Sequence, residues 1–131
     1  MAKPMLLDKH SGSSGLYKVW KIERRLWLEG QPAMQAHGMA GAIVVTPHPS
    51  APQRLENVLD VAKRAAPFDD VEFSDQQFLN LGDTVIISYR ASAKHQRFRQ
   101  KYRAQCTTTY VQRDGSFKIA SHTHNKLPKR T

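Results

Sequence analysis

Apolar residues recur every three or four positions in the first half of this chain and every second position in the last sixty residues. In the first half, Leu16, Val19, Trp20, Glu23, Leu26, Trp27 and Gly30 share one phase, with Lys18, Lys21, Arg24 and Arg25 largely on the other side. That is the period of an amphipathic helix. Gly30 can end it, and Pro32 suits the first turn of a second, shorter helix to His37. The apolar run 42–46 stops at Pro47 and predicts a short strand at a sheet edge. Pro52 opens a third helix with Leu55, Val58, Leu59 and Ala62 on one face, stopped by Pro67. Alternation then predicts four strands in succession, 71–81, 84–93, 102–112 and 117–123, the last two joined by Asp114-Gly115, whose residues tolerate positive φ. Helices followed by an uninterrupted meander describe an α+β domain: a cone-shaped, curved antiparallel sheet wrapped around its N-terminal helices.

A length of 131 residues fits one domain. Residues 1–15, ending in Ser-Gly-Ser-Ser-Gly, read as a flexible leader, residues 16–128 as the domain, and 129–131 as a basic tail. Cys106 is the only cysteine, which excludes an internal disulfide and a cysteine-based zinc ribbon and suits a reducing, cytoplasmic setting. No apolar run approaches a membrane span.

The net charge of +9 is uneven: residues 1–55 carry +4, 56–83 carry −5 and 84–131 carry +10. Arg90, Lys94, Arg97, Arg99, Lys101 and Arg103 fall along one connection without an acid among them. With Phe98 and Tyr102 interleaved, this basic stretch admits contact with nucleic acid or an acidic protein partner through Arg97, Arg99, Lys101 and Arg103. A solvated hairpin pairing with the acidic 69–83 strand is the favoured reading, because no RNA-binding signature accompanies it.

Candidate chemistry is sparse. Trp20 and Trp27, seven apart on one helix face, are core residues first and pocket floor second. Tyr102, Ala104, Cys106, Thr108 and Tyr110 share one strand face, so with Tyr89 three phenols and a thiol converge on one interior, as a small-molecule site requires. Cys106 reads as a buried, inert thiol rather than a nucleophile. His122 and His124 point the same way on the last strand and could join His48 or His37 at a metal, but the spacing is loose and no acid or cysteine accompanies it in sequence, so no metal and no cofactor are expected. Asp75, sharing a strand face with Val71, Phe73 and Leu79, is the acid expected to be buried and basic enough to act, with His122 as a second titrating group.

The texts Glu23-Arg-Arg-Leu-Trp-Leu-Glu-Gly30, Val44-Val-Thr-Pro47, Leu81-Gly-Asp-Thr-Val85, Tyr102-Arg-Ala and Tyr110-Val-Gln-Arg-Asp-Gly-Ser-Phe-Lys-Ile-Ala-Ser-His122 resemble the nuclear transport factor 2-like superfamily, and within it the SnoaL-like domains of unknown function. Phe117 stands where that group usually has Trp, and Met34 where an aromatic residue is common. The resemblance implies the cone fold, a homodimer formed through the sheets, and a pocket between the sheet and the first helix. It carries no catalytic residue onto this chain, because the superfold hosts isomerases, cyclases, dehydratases and adaptors with unrelated sites. The leading expectation is a small-molecule-binding domain for an apolar or amphipathic ligand, walled by Trp20, Trp27, Tyr89, Cys106 and Tyr110. Any reaction there would be a cofactor-free isomerisation, cyclisation or dehydration. The alternative is a binding module using the basic stretch.

Overall fold

A computed structural model describes residues 11–47, 51–62 and 67–128. Helix α1 (Ser11–Glu29) is followed by α2 (Gln31–His37), strand β1 (Gly38–Val45), a two-residue strand β2 (Gln53–Arg54) and α3 (Leu55–Ala62). The meander is β3 (Asp70–Asn80), β4 (Thr84–Lys94), β5 (Tyr102–Arg113) and β6 (Ser116–Lys126). All strands join one curved six-stranded sheet in the order β2-β1-β6-β5-β4-β3. α1 begins at Ser11, so the last five residues assigned to the leader are helical. The rest of the leader and the 129–131 tail lie outside the described residues.

Two glycines with positive φ punctuate the chain as the pattern predicts. Gly30, at φ 73°, stops α1 and donates its N–H to Leu26 O at 3.1 Å, the left-handed helix ending that glycine adopts without a Cβ penalty. Asp114 and Gly115, at φ 51° and 82°, form the two-residue hairpin turn whose twist matches its flanking strands.

β1 is not an edge strand. It lies parallel to β6 on one side and antiparallel to β2 on the other, and Gln53–Arg54 takes the edge instead. Pro47, which has no N–H to give a ladder, lies beyond the paired residues, so it ends β1 without exposing it.

Two one-residue insertions set which side chains face inward. In β3, Ser74 pairs with Arg90 and Gln77 with Ser88, so three steps on β3 oppose two on β4, and Asp75 in the bulge takes φ 50°. An extra residue inverts the pleat phase downstream. Val71 and Phe73 therefore pack inward, whereas Leu79, which unbroken alternation would put beside them, turns outward and Phe78 takes the inward register opposite Ile87. In β6 a matching irregularity opposite Thr109 and Tyr110 leaves Ala120 unpaired, so Ile119, His122 and His124 share the interior.

The core lies between α1 and the sheet: Val19 and Trp27 meet Val71, Val85, Ile87, Tyr89, Ala91, Cys106, Tyr110 and Ile119. A smaller cluster of Ala42, Val44 and Leu55 joins β1 to α3 beneath Met34, Met39 and Val58.

Candidate functional site

Behind the sheet α1 presents one charged residue to the interior. Glu23 stands in phase with Val19 and Trp27 and is 0% exposed. Its carboxylate accepts a 2.6 Å hydrogen bond from Tyr110 OH at Oε1, and at Oε2 a 2.7 Å bond from Thr108 Oγ1 together with a bond from Tyr89 OH. Trp27 Nε1–H donates to Tyr89 OH at 3.1 Å. Burial raises the Glu23 pKa while the three hydroxyl donors, Thr108 foremost, pull it back down. The phenols of Tyr89 and Tyr110 are driven well above their ordinary range, first by burial and then by the neighbouring carboxylate.

Thr108 has one hydroxyl proton, and it goes to Glu23. The 2.7 Å contact of Thr108 Oγ1 with His122 Nδ1 is then a bond donated by the imidazole, which assigns His122 the Nδ1–H tautomer. Burial lowers the His122 pKa to about 4, so the ring is neutral at neutral pH and its 3.5 Å approach to Glu23 is not an ion pair there. His124, next along the same face, shares a proton with Tyr102 OH at 2.7 Å, and burial, aided by His122, lowers its pKa to about 3. Cys106 pairs across the ladder with His124, and burial pushes its thiol up to about 12, a poor nucleophile at neutral pH.

Tyr102 ends this chain of groups and also walls a cleft of about 800 Å3 at the open end of the sheet. Apolar surface comes from Phe68, Phe98, Tyr102 and Leu127, and charge from Arg97, Arg99, Lys101, Arg103 and Lys126. Phe68 stacks on Tyr102 with centroids 5.5 Å apart, and Trp27 packs behind both. The rim is tied down by backbone: Asp69 N–H donates to Lys94 O and Leu127 N–H to Arg103 O, each at 2.8 Å, and Asp69 Oδ2 accepts from Gln96 N–H at 2.5 Å. Lys101 has Glu72 3.9 Å away, and among the described residues no ion pair involves Arg97, Arg99 or Arg103. Burial raises the Tyr102 pKa to about 12.

The expected site residues therefore separate. Trp27, Tyr89, Cys106 and Tyr110 are buried against one another, and Trp20 packs on Phe73 and Tyr89, so these five fill the interior between helix and sheet rather than line an opening there. Asp75 is corrected outright: the bulge turns it to the surface, where it meets Arg90 at 3.7 Å, instead of burying it beside Phe73. His122 is inside, two residues from the half-buried His124. His37 instead bonds Arg25, and His48 lies outside the described residues. The four cations Arg97, Arg99, Lys101 and Arg103 gather at the cleft. Glu23 figures in the sequence only as a member of the helix face, Thr108 only as a member of the β5 face, and His124 only in a metal reading that the loose spacing disfavours. An acid in phase with an apolar helix stripe is the signal that marks Glu23.

No family model matches the sequence, and no curated protein matches it. Solved structures do match the fold. A nuclear transport factor 2-like protein from Cytophaga hutchinsonii superposes with a TM-score of 0.70 over 90% of this chain and 99% of its own, at 12% identity. The chain has the nuclear transport factor 2-like fold. Two further structures with this fold are a candidate ketosteroid isomerase from Parabacteroides distasonis (TM-score 0.74, 14% identity, 83% of this chain and 85% of the other) and a hexachlorocyclohexane dehydrochlorinase from Novosphingobium barchaimii (0.62, 13%, 93% and 90%). At such identities the likeness concerns the fold alone. Among the described residues no helix is long and apolar enough to cross a membrane.

Proposed function

We propose that this protein binds a small anionic molecule with an apolar body in the cleft beneath the 95–101 loop. One observation carries the reading: the cleft combines an aromatic wall, Phe68, Phe98 and Tyr102, with five cations, four of them without an ion-pair partner among the described residues. Apolar walls with a few fixed polar groups suit small ligands, and guanidinium groups suit a carboxylate or phosphate. The isomerase and dehydrochlorinase among the structural neighbours favour small molecules as ligands of this fold, and a cofactor-free proton transfer here would draw on His124 through its bond to Tyr102. The protein is expected to work in the cytoplasm, as its single cysteine suggests.

The test is calorimetric titration of the full chain with decanoate and with methyl decanoate. Decanoate should bind and the uncharged ester should bind on the order of tenfold more weakly, the equivalent of one charge-assisted hydrogen bond. Arg99→Ala and Lys101→Ala should narrow that gap. Equal binding of acid and ester would refute the reading, and tight binding of a single-stranded oligonucleotide with a steep salt dependence would replace it with the nucleic-acid alternative.

A homodimer through the outer face of the sheet forms part of the same proposal. Register aligns Ile43, Ser121, Thr109, Ile86 and Leu79 in one row across five strands, opposite the inward row of Val44, His122, Thr108, Ile87 and Phe78. The row's two ends, Ile43 at 43% and Leu79 at 53% exposure, present apolar surface to solvent. A second copy would cover it.

A further inference from the structure

We infer that Cys106, His122 and His124 form a binding site for one zinc ion or a similar borderline-soft divalent ion. Their ligand atoms lie within 4.8 Å of one another, inside the sheet rather than on its surface. Sequence spacing hides this trio, because the thiol comes from β5 and the imidazoles from β6, with Cys106 and His124 directly opposite in the ladder. The Ala120 irregularity keeps both imidazoles inward beside Ile119.

The surroundings have the features of a metal site beyond the three ligands. His122 Nδ1–H is held by Thr108, which passes the bond on to the Glu23 carboxylate, so the Nε2 lone pair is left for the ion. This is the carboxylate-backed imidazole that metal sites use to fix the tautomer and ring orientation. Tyr102 OH engages His124 Nε2 at 2.7 Å, which leaves Nδ1 as the second imidazole's nitrogen for the ion. A tetrahedral zinc with bonds of roughly 2.0–2.3 Å separates its ligand atoms by roughly 3.3–3.8 Å, so side-chain rotations on the order of 1 Å complete the grip. As the S–Zn bond forms, the Cys106 thiol releases its proton to solvent, and the ion's remaining charge is balanced by Glu23 nearby. Tyr102, which bonds His124, also lines the cleft, and an open fourth position is what three protein ligands leave.

The experiment is zinc-edge X-ray absorption on the wild-type full chain, first treated with chelator, then loaded with one equivalent of Zn(II) and desalted. Retention of about one ion per chain, with one sulfur near 2.3 Å and nitrogen neighbours near 2.0 Å, is the expected result. Loss of the ion on desalting, or a shell of nitrogen and oxygen alone, overturns the assignment. Cobalt(II) substitution supplies a second readout. A thiolate-to-cobalt band should be present in wild type and absent in Cys106→Ser, whose fold is checked by circular dichroism. Metal uptake unchanged in a folded Cys106→Ser would likewise overturn it. Neither readout depends on any ligand of the cleft.

Discussion

At the scale of the residue, Glu23 concentrates the energetic risk of this fold. A carboxylate deprived of water costs several kcal/mol unless its lone pairs are met, and here hydroxyls on three different positions of the sheet meet them. Among the described residues Tyr110 is the only hydroxyl bonded to Oε1, so Tyr110→Phe should lower the unfolding free energy by about 1–3 kcal/mol, read from urea titration, whereas Tyr110→Phe in a Glu23→Gln background should cost less. An equal cost in both backgrounds would mean that the phenol matters for packing alone.

The two inner histidines give the protein a pH dependence of definite sign. Burial lowers their folded pKa values to about 4 and about 3, below the 6.5 of the unfolded chain, so between pH 6.5 and 4 the unfolded state holds more protons. Stability conferred by keeping them neutral is complete above pH 6.5 and is lost as pH falls toward 4. Glu23, with its pKa raised, acts in the opposite sense: its contribution is present below 4.5 and is lost as pH rises. Comparison with a variant separates the two. The stability slope between pH 6.5 and 4 should be shallower in His122→Asn than in wild type, by up to roughly 3 kcal/mol across the window. Parallel slopes would show that His122 titrates normally in the native state.

At the scale of the element, the helices and the meander follow from period and punctuation, and the sequence shows them nearly to their ends. What it conceals is phase. Nothing in the alternation of 71–81 announces that Asp75 will adopt positive φ in a bulge, so unbroken alternation places Leu79 on the wrong face and Asp75 in the core. Likewise the apparent edge at 42–46 was a statement about Pro47, a local residue, while the neighbours of β1 are decided by β6, some eighty positions away in sequence. The cleft stayed hidden for the same reason: Phe68, Lys126 and Leu127 come to the 95–103 connection only through cross-strand ties.

The join between α2 and β1 yields a test of its own. A Cβ on Gly38 would lie 2.4 Å from Leu55 Cδ2 and 2.8 Å from Met34 O. The leucine methyl can swing aside but the carbonyl belongs to the backbone of α2, so Gly38→Ala should destabilise by about 1–3 kcal/mol. Thermal unfolding that leaves the midpoint within error of wild type would show that α2 shifts freely over β1.

At the scale of the whole molecule, the sheet divides labour between its faces and its end. The inner face is saturated with packing and with the Glu23 network, the open end gathers aromatic rings and cations, and the outer face keeps a partly apolar row. Were this row the seat of self-association, Leu79→Glu would convert a dimer to a monomer in sedimentation equilibrium while leaving the circular dichroism spectrum unchanged. A wild-type protein that sediments as a monomer at all concentrations would remove the dimer from the proposal.

The bulge at Asp75 bears on how this chain can vary. Phe78 and Leu79 are adjacent in the text yet lie on opposite faces of the sheet, one in register with buried Ile87 though itself 39% exposed, the other on the back at 53%. One additional amino acid thus separates two neighbouring positions: drift at position 79 would alter any contact made through the back of the sheet without disturbing the hydrophobic centre. Deleting a single residue upstream would exchange the two roles at once.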